Sequence, residues 1–385
     1  MTLRAVRAAN GSAVLAGAKV AVARSWSVAR GVRRLAAAKA TSRRAVLPYA
    51  PLLRRGVYVA DDGRTWRRWR QPVPEHLRRT RPPQHGPRPA PGVTRMVARL
   101  ARTVRVAAPP VWLVGRGGPT GYSIATSTHD GGLVLLDPSG GRVARVGGGT
   151  GVGSDYVALR SRYGAHVPMP AFEVHDGMVV EEFVDGVHFL ELSATEQVAA
   201  VKVLLGSYTA LVRAEGGGSS ADRLGDALAL VEHSALPPAM RAYVDPPALR
   251  HAAASWPLVP SGTDANVKNL IVVSRRTPVP IDLVTVRDDP FFYFPLGIVG
   301  NARGPVLQTY LDGGLDGEMH RLFQAAGSRF DASASGRLSL LAARVLVATL
   351  HQARREGFGA GSARVGAVLE ERWGELRSTA PADWY

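Results

Sequence analysis

Asp264, Asn269 and Asp282 fall within one segment, SGTDANVKNLIVVSRRTPVPIDLVTVRDDP. Between the first pair and Asp282 lie an apolar run expected to form a strand at Leu270–Val273 and a proline-bounded turn at 278–280. Two carboxylates and an amide held at fixed ends of a short ribbon suit Mg²⁺ and a phosphoryl group, because Mg²⁺ is hard, takes few protein ligands and shares its shell with phosphate oxygens. Lys268 adds a positive charge to the same loop, in a chain whose only other lysines are at 19, 39 and 202. The bland alternative is that Asp264 and Asn269 cap a turn, as Asp and Asn often do.

Other chemistries lack residues. With no cysteine there is no disulfide framework, thiolate metal site or cysteine nucleophile. The ten histidines show no H-E-x-x-H spacing, and no serine sits in a G-x-S-x-G elbow. The glycine run at 147–153 is not followed by Gly-Lys-Ser/Thr, so it reads as a flexible link and not as a phosphate loop.

The elements that must position the site divide by type. From about Pro110 to Phe189 short β-type runs dominate, namely GYSIATSTH, GLVLLDP, GRVARVG and GMVVEEFV, separated by Asp/Pro/Gly turns. From Ser193 onward helices dominate. Ser193-Ala194-Thr195-Glu196 is a capping-box pattern, and a long apolar helix at Arg337–Glu356 is stopped by Gly357. Strands followed by helices predict an α+β fold of two lobes joined near 181–187. The aromatic cluster in DDPFFYFPLG, at 288–298, is expected to pack in the core.

Charge is equally divided. The formal +17 comprises +21 on residues 1–110 and −4 on the remainder. Residues 1–70 are therefore set apart as a basic N-terminal extension, with Ala-rich helical stretches in 12–48 and a small hairpin about Asp62-Gly63. A proline-rich linker spans 71–93 and an amphipathic helix is expected at Thr94–Val106. Interleaved Arg and Trp in RTWRRWRQ could bind nucleic acid by stacking. An anionic membrane surface or an acidic partner suits the basic extension better. Lys19 splits the early apolar run, so the chain is expected to be cytoplasmic, peripheral to a membrane where the extension docks on one.

The segment Asp264-Ala265-Asn266-Val267-Lys268-Asn269-Leu270-Ile271-Val272 resembles the D-x-x-x-x-N catalytic loop of the aminoglycoside phosphotransferase and choline kinase-like small-molecule kinases, within the protein-kinase-like superfamily. Ile281-Asp282-Leu283 resembles the metal-binding Asp motif that follows it. The resemblance implies a small β-rich nucleotide lobe at 94–187 and a larger helical catalytic and substrate lobe at 188–385, with ATP and Mg²⁺ as cofactors. It implies Asp264 as the catalytic residue orienting an acceptor hydroxyl, Asn269 and Asp282 as metal ligands, and Lys268 as a phosphate contact. It also implies nucleotide contacts from Arg145, from the hinge at Glu182, Phe183 and Val184, and from the turn at Gly131 and Gly132.

Two features depart from the family. Gly262-Thr263 stand where His precedes the catalytic Asp, and no lysine lies between 39 and 202, so Arg145 occupies the phosphate-binding lysine's place. Arginine is longer and planar, which makes the exchange non-conservative. Asp155 is the nearest match to the acidic ion-pair partner expected on the following helix. The function implied is phosphotransfer to a hydroxyl of a sugar, polyol, aminoglycoside or amino alcohol. The alternative is a catalytically impaired, pseudokinase-like scaffold.

Overall fold

A computed structural model describes residues 36–60, 65–68, 112–118, 121–127, 132–146, 154–175, 177–231, 235–262, 264–274, 276–283, 286–302, 304–359 and 361–378. Two compact units divide the chain: 1–149 with Glu173–Phe183, and Thr150–Phe172 with Val184–Tyr385. The first is sheet-rich and the second mainly helical, the α+β arrangement that the sequence predicts. Among the described residues no helix is long and apolar enough to cross a membrane.

In the first unit, β1 (Gly56–Ala60), β2 (Thr65–Arg68), β3 (Trp112–Gly115), β4 (Ile124–Ser127), β5 (Leu133–Asp137), β6 (Arg142–Val146), β7 (Phe172–His175) and β8 (Met178–Glu182) form one sheet. Its order is β3-β1-β2-β4-β5-β6-β8-β7. Successive residues of a strand point to opposite faces. One face therefore carries Leu133, Leu135, Ala144 and Val146, and the other Ile124, Leu136 and Val143.

The first face is covered by helix α1 (36–46) and the 3-10 turn Leu47–Leu52, whose Val46 and Ala50 join Leu53, Tyr58, Trp66 and Leu113 in the core. The basic segment 1–70 thus contributes its second half to the sheet. Trp66 is fully buried and its indole N–H donates to Ser42 Oγ at 2.8 Å, so this ring is core and does not serve as a stacking platform for nucleic acid. Buried Asp137 accepts from Arg54 Nη2 at 2.8 and 2.9 Å, which ties the same segment to the end of β5. The Asp62-Gly63 turn, the linker at 71–93, the helix expected at Thr94–Val106 and the glycine run at 147–153 lie outside the described residues.

The second unit holds α2 (Ser154–Gly164), α3 (Ala194–Glu215), α4 (Ala221–Leu230), α5 (Pro238–Arg241), α6 (Pro246–Ser255), α7 (Tyr293–Ala302), α8 (Pro305–Leu311), α9 (Asp316–Ala325), α10 (Ala334–Glu356) and α11 (Ala363–Arg377). Ser193 and Glu196 form the expected capping box at the start of α3, and Gly357, at φ 72°, ends α10 in the left-handed conformation. Phe291, Phe292, Tyr293 and Phe294 are all buried, the first two against Trp256, so the aromatic cluster is core packing.

Two small sheets interrupt these helices. β10 (Leu258–Gly262) pairs with β13 (Val286–Pro290), and β11 (Leu270–Val273) lies between β9 (Val187–His188) and β12 (Thr277–Pro280). The turn expected at 278–280 is instead at Ser274–Arg276, with Ser274 at φ 50°. Pro278 and Pro280 pair within β12, where an edge strand tolerates residues that cannot donate to a neighbour.

Candidate active site

The loop between β10 and β11 is folded on itself by its own polar groups. Asn266 N–H donates to Asp264 O at 2.8 Å, and Asn266 Oδ1 accepts from Lys268 N–H at 3.1 Å. These bonds start the 3-10 turn Val267–Asn269, whose Val267 is buried while Lys268 stays exposed. Asn269 Nδ2 donates to Asp264 Oδ2 at 2.9 Å. With Nδ2 committed to Asp264, Oδ1 is the acceptor end of the amide, the end a cation requires.

Neighbouring elements fix the loop from outside. Asn301 Nδ2 on α7 donates to Ala265 O at 2.6 Å. His188 Nε2–H on β9 donates to Lys268 O at 2.8 Å, while its Nδ1 accepts from Leu190 N–H at 3.2 Å. Arg344 on α10 lies over the Tyr293 ring at 5.2 Å, and the room a side chain on Gly297 would need is taken by Ala265 and Arg344. Burial lowers the Arg344 pKa from the usual arginine value, opposed by Tyr293 and, more weakly, by the charge of Asp264.

Asp282 is tied to the same loop through backbone. Ile281 N–H donates to Asn269 O at 2.8 Å, and Asp282 itself sits at φ 62°. A non-glycine residue in the left-handed region stores strain, and such strain persists where surrounding contacts over-determine it. Asp264, Asn269, Lys268 and Asp282 are thus brought together by one loop and the strand pair that follows it. Among the described residues no group of three or more His, Asp or Glu could hold a metal by itself. An amide oxygen and a carboxylate, completed by phosphate oxygens, is nevertheless a donor set that fits Mg²⁺.

The expected nucleotide residues fall within the first unit, apart from Val184, which belongs to the second. On β6 Arg145 is buried, and its Nε donates to Glu181 Oε2 on β8 at 2.7 Å. The register explains the pair: Arg145 lies opposite Val179 and Val143 opposite Glu181, so all four share one face. Phe183 packs against Ile124, Leu136 and Val143 on that face, and its N–H donates to Gly141 O at 2.8 Å. The Glu182 side chain is exposed and Gly132 is buried, while Gly131 lies outside the described residues. Asp155 stands on α2 with its side chain outside them. Sequence reasoning named Asp155 as an acidic partner for Arg145 and did not select Glu181, which the structure pairs with it. The signal available was period-two alternation in MVVEE, which puts Glu181 on the face of Val179.

Of the two acidic residues at the end of β13, Asp288 and Asp289, the second does not reach solvent. It is fully buried and its Oδ1 lies 2.9 Å from His351 Nε2. Asp288 is half-exposed.

Solved structures similar to this chain include small-molecule phosphotransferases. An aminoglycoside phosphotransferase from Streptomyces rimosus is 17% identical at a TM-score of 0.34, covering 57% of this chain and 92% of that one. A macrolide 2'-phosphotransferase from Brachybacterium faecium is 15% identical at 0.38, covering 64% and 88%. A choline kinase from Streptococcus pneumoniae is 10% identical at 0.39, covering 64% and 89%. No protein-family model matches the chain, and no curated protein matches it in sequence.

Proposed function

We propose that this chain is an ATP- and Mg²⁺-dependent phosphotransferase acting on a hydroxyl of a small molecule. The observation that carries the reading is the bond from Asn269 Nδ2 to Asp264 Oδ2, with Ile281 N–H on Asn269 O bringing Asp282 to the same loop. Asp264 would accept the acceptor hydroxyl's proton as its oxygen bonds to the γ-phosphorus, and the bond from that phosphorus to the bridging oxygen breaks, leaving ADP. Asn269 Oδ1 and the Asp282 carboxylate would hold Mg²⁺, which when bound neutralises phosphate charge. Lys268 would add a point charge toward the phosphates. Arg145, its guanidinium fixed by Glu181, is the sheet residue that would bind nucleotide phosphate. The acceptor classes that fit a hydroxyl-directed base are sugars, polyols, aminoglycosides and amino alcohols.

A second reading is favoured by the same ion pair. Glu181 neutralises Arg145, which weakens its pull on phosphate and suits a catalytically impaired scaffold whose basic extension binds an anionic membrane or an acidic partner. Phosphate transfer from labelled ATP to a panel of those acceptors, run beside a thermal-shift titration with Mg-ATP, separates the two. Nucleotide binding with transfer to one acceptor class supports the enzyme. Binding without transfer to any class supports the scaffold, and absence of Mg-dependent binding overturns the enzyme.

A further inference from the structure

Asp282 is clamped from both sides, and the second clamp comes from a helix that sequence reasoning used only for Asp155. Tyr156, one residue on along α2, is buried, and its hydroxyl donates to Leu283 O at 2.8 Å. The residue before Asp282 is thus anchored through Ile281 N–H on Asn269 O, and the residue after it is anchored through its carbonyl on Tyr156. These two bonds straddle the left-handed backbone of Asp282, where φ is 62°.

Tyr156 is itself oriented. Arg160, one turn further along α2 and fully buried, donates from Nη1 to the Tyr156 oxygen at 2.7 Å. Its guanidinium lies 4.2 Å above the Phe172 ring and 5.8 Å from the Tyr156 ring. The phenol oxygen accepts from a cation and passes its own proton to a carbonyl, so the chain from Arg160 through Tyr156 to Leu283 is polarised in one direction and each bond strengthens the next. A buried arginine is costly, and here its Nη1 is committed to the tyrosine that holds Leu283, the residue after Asp282, while Phe172 lies against its guanidinium.

We propose that Tyr156, backed by Arg160, is a positioning residue for Asp282, keeping its backbone in the conformation that presents the carboxylate to Mg²⁺. What Asp282 does rests on the reading above; that Tyr156 holds it in place rests on these contacts.

The test is calorimetric titration of the full chain with ATP, in Mg²⁺ and in EDTA, for wild type, Tyr156→Phe and Asp282→Asn, with amide exchange of Ile281 followed in the nucleotide-free protein. Tyr156→Phe removes one oxygen and leaves the ring in place. It is expected to weaken ATP binding about tenfold in Mg²⁺, to leave the EDTA value within about twofold, and to speed Ile281 exchange, as loss of one buried charge-assisted hydrogen bond predicts. Asp282→Asn is expected to abolish the benefit of Mg²⁺. If Asp282→Asn retains that benefit, the metal-site reading fails. If Asp282→Asn loses it while Tyr156→Phe binds as wild type, or Tyr156→Phe weakens binding equally in Mg²⁺ and EDTA, or Ile281 exchange is unchanged, the positioning role is overturned and the metal-site reading stands.

Discussion

The loop at 264–269 and the Arg145–Glu181 pair are built in opposite ways. In the loop, the functional groups lie close in sequence and bond mostly to one another: Asn269 to Asp264, Lys268 to Asn266, Asn266 to Asp264. On the sheet, Arg145 meets a carboxylate far along the chain, and only the pairing of β6 with β8 brings them together. The loop can hold its geometry once its two flanking strands form. The ion pair depends on the whole strand register, since a slip of one residue would turn Glu181 to the opposite face.

Variants in the two regions should therefore fail differently. The largest effect is expected from Asn269→Leu, which removes both the donor to Asp264 and the proposed metal ligand: phosphate transfer should fall by about 10²-fold or more, with the unfolding midpoint little changed. A loss of fold in place of a loss of turnover would mean that the loop is structural. Next, Glu181→Ala leaves Arg145 buried without its carboxylate and should cost about 3–5 kcal/mol in urea unfolding, whereas combining Arg145→Met with Glu181→Leu should recover most of that. Recovery of stability without recovery of ATP affinity would sharpen the contrast, because it would separate the structural from the phosphate-binding role of Arg145.

Smaller effects probe the supports of the loop. His188→Ala and Asn301→Ala each remove one bond to a loop carbonyl and should each cost about 1 kcal/mol; their effect on KM for Mg-ATP should exceed that of surface variants of equal stability. The smallest is a control far from the loop in sequence. Hydrogen bonds from the Ser333 backbone and hydroxyl hold the Asp331 carboxyl below its usual pKa. Its contribution is thus complete above the unfolded value, near pH 4, and is lost as pH falls through the lower folded value. Asp331→Asn should flatten the pH dependence of the unfolding midpoint in that acid range and leave turnover at pH 7 unchanged. Because Asp331 is exposed, screening by solvent keeps the effect small.

The same contrast explains what the sequence could and could not disclose. Local signals were legible: the capping box at Ser193 and Glu196, the stop at Gly357, the strand at Leu270–Val273 and the loop D-x-x-x-x-N all depend on residues a few positions apart. Long-range choices were not. Glu181 and Tyr156 act through partners 36 and 127 positions away; alternation in MVVEE gives the face of Glu181 but not its partner, and no local pattern selects Tyr156. The turn expected at 278–280 failed for a different reason, because proline marks an edge strand as readily as a turn, and the sheet order decides which. Charge alone sets residues 1–70 apart as a basic extension, and only long-range packing reveals that Val46, Leu53, Tyr58 and Trp66 within it join the core of the sheet.

The central claim is that Asp264 is the base of a Mg²⁺-dependent phosphate transfer. Turnover of labelled ATP with wild type and Asp264→Asn, in the presence and absence of Mg²⁺, tests it most directly. The account predicts Mg-dependent transfer that drops about 10²–10⁴-fold in the variant, with Mg-ATP affinity kept within about threefold, since less than 1 kcal/mol of binding is at stake. Transfer that proceeds at the wild-type rate in Asp264→Asn would contradict it.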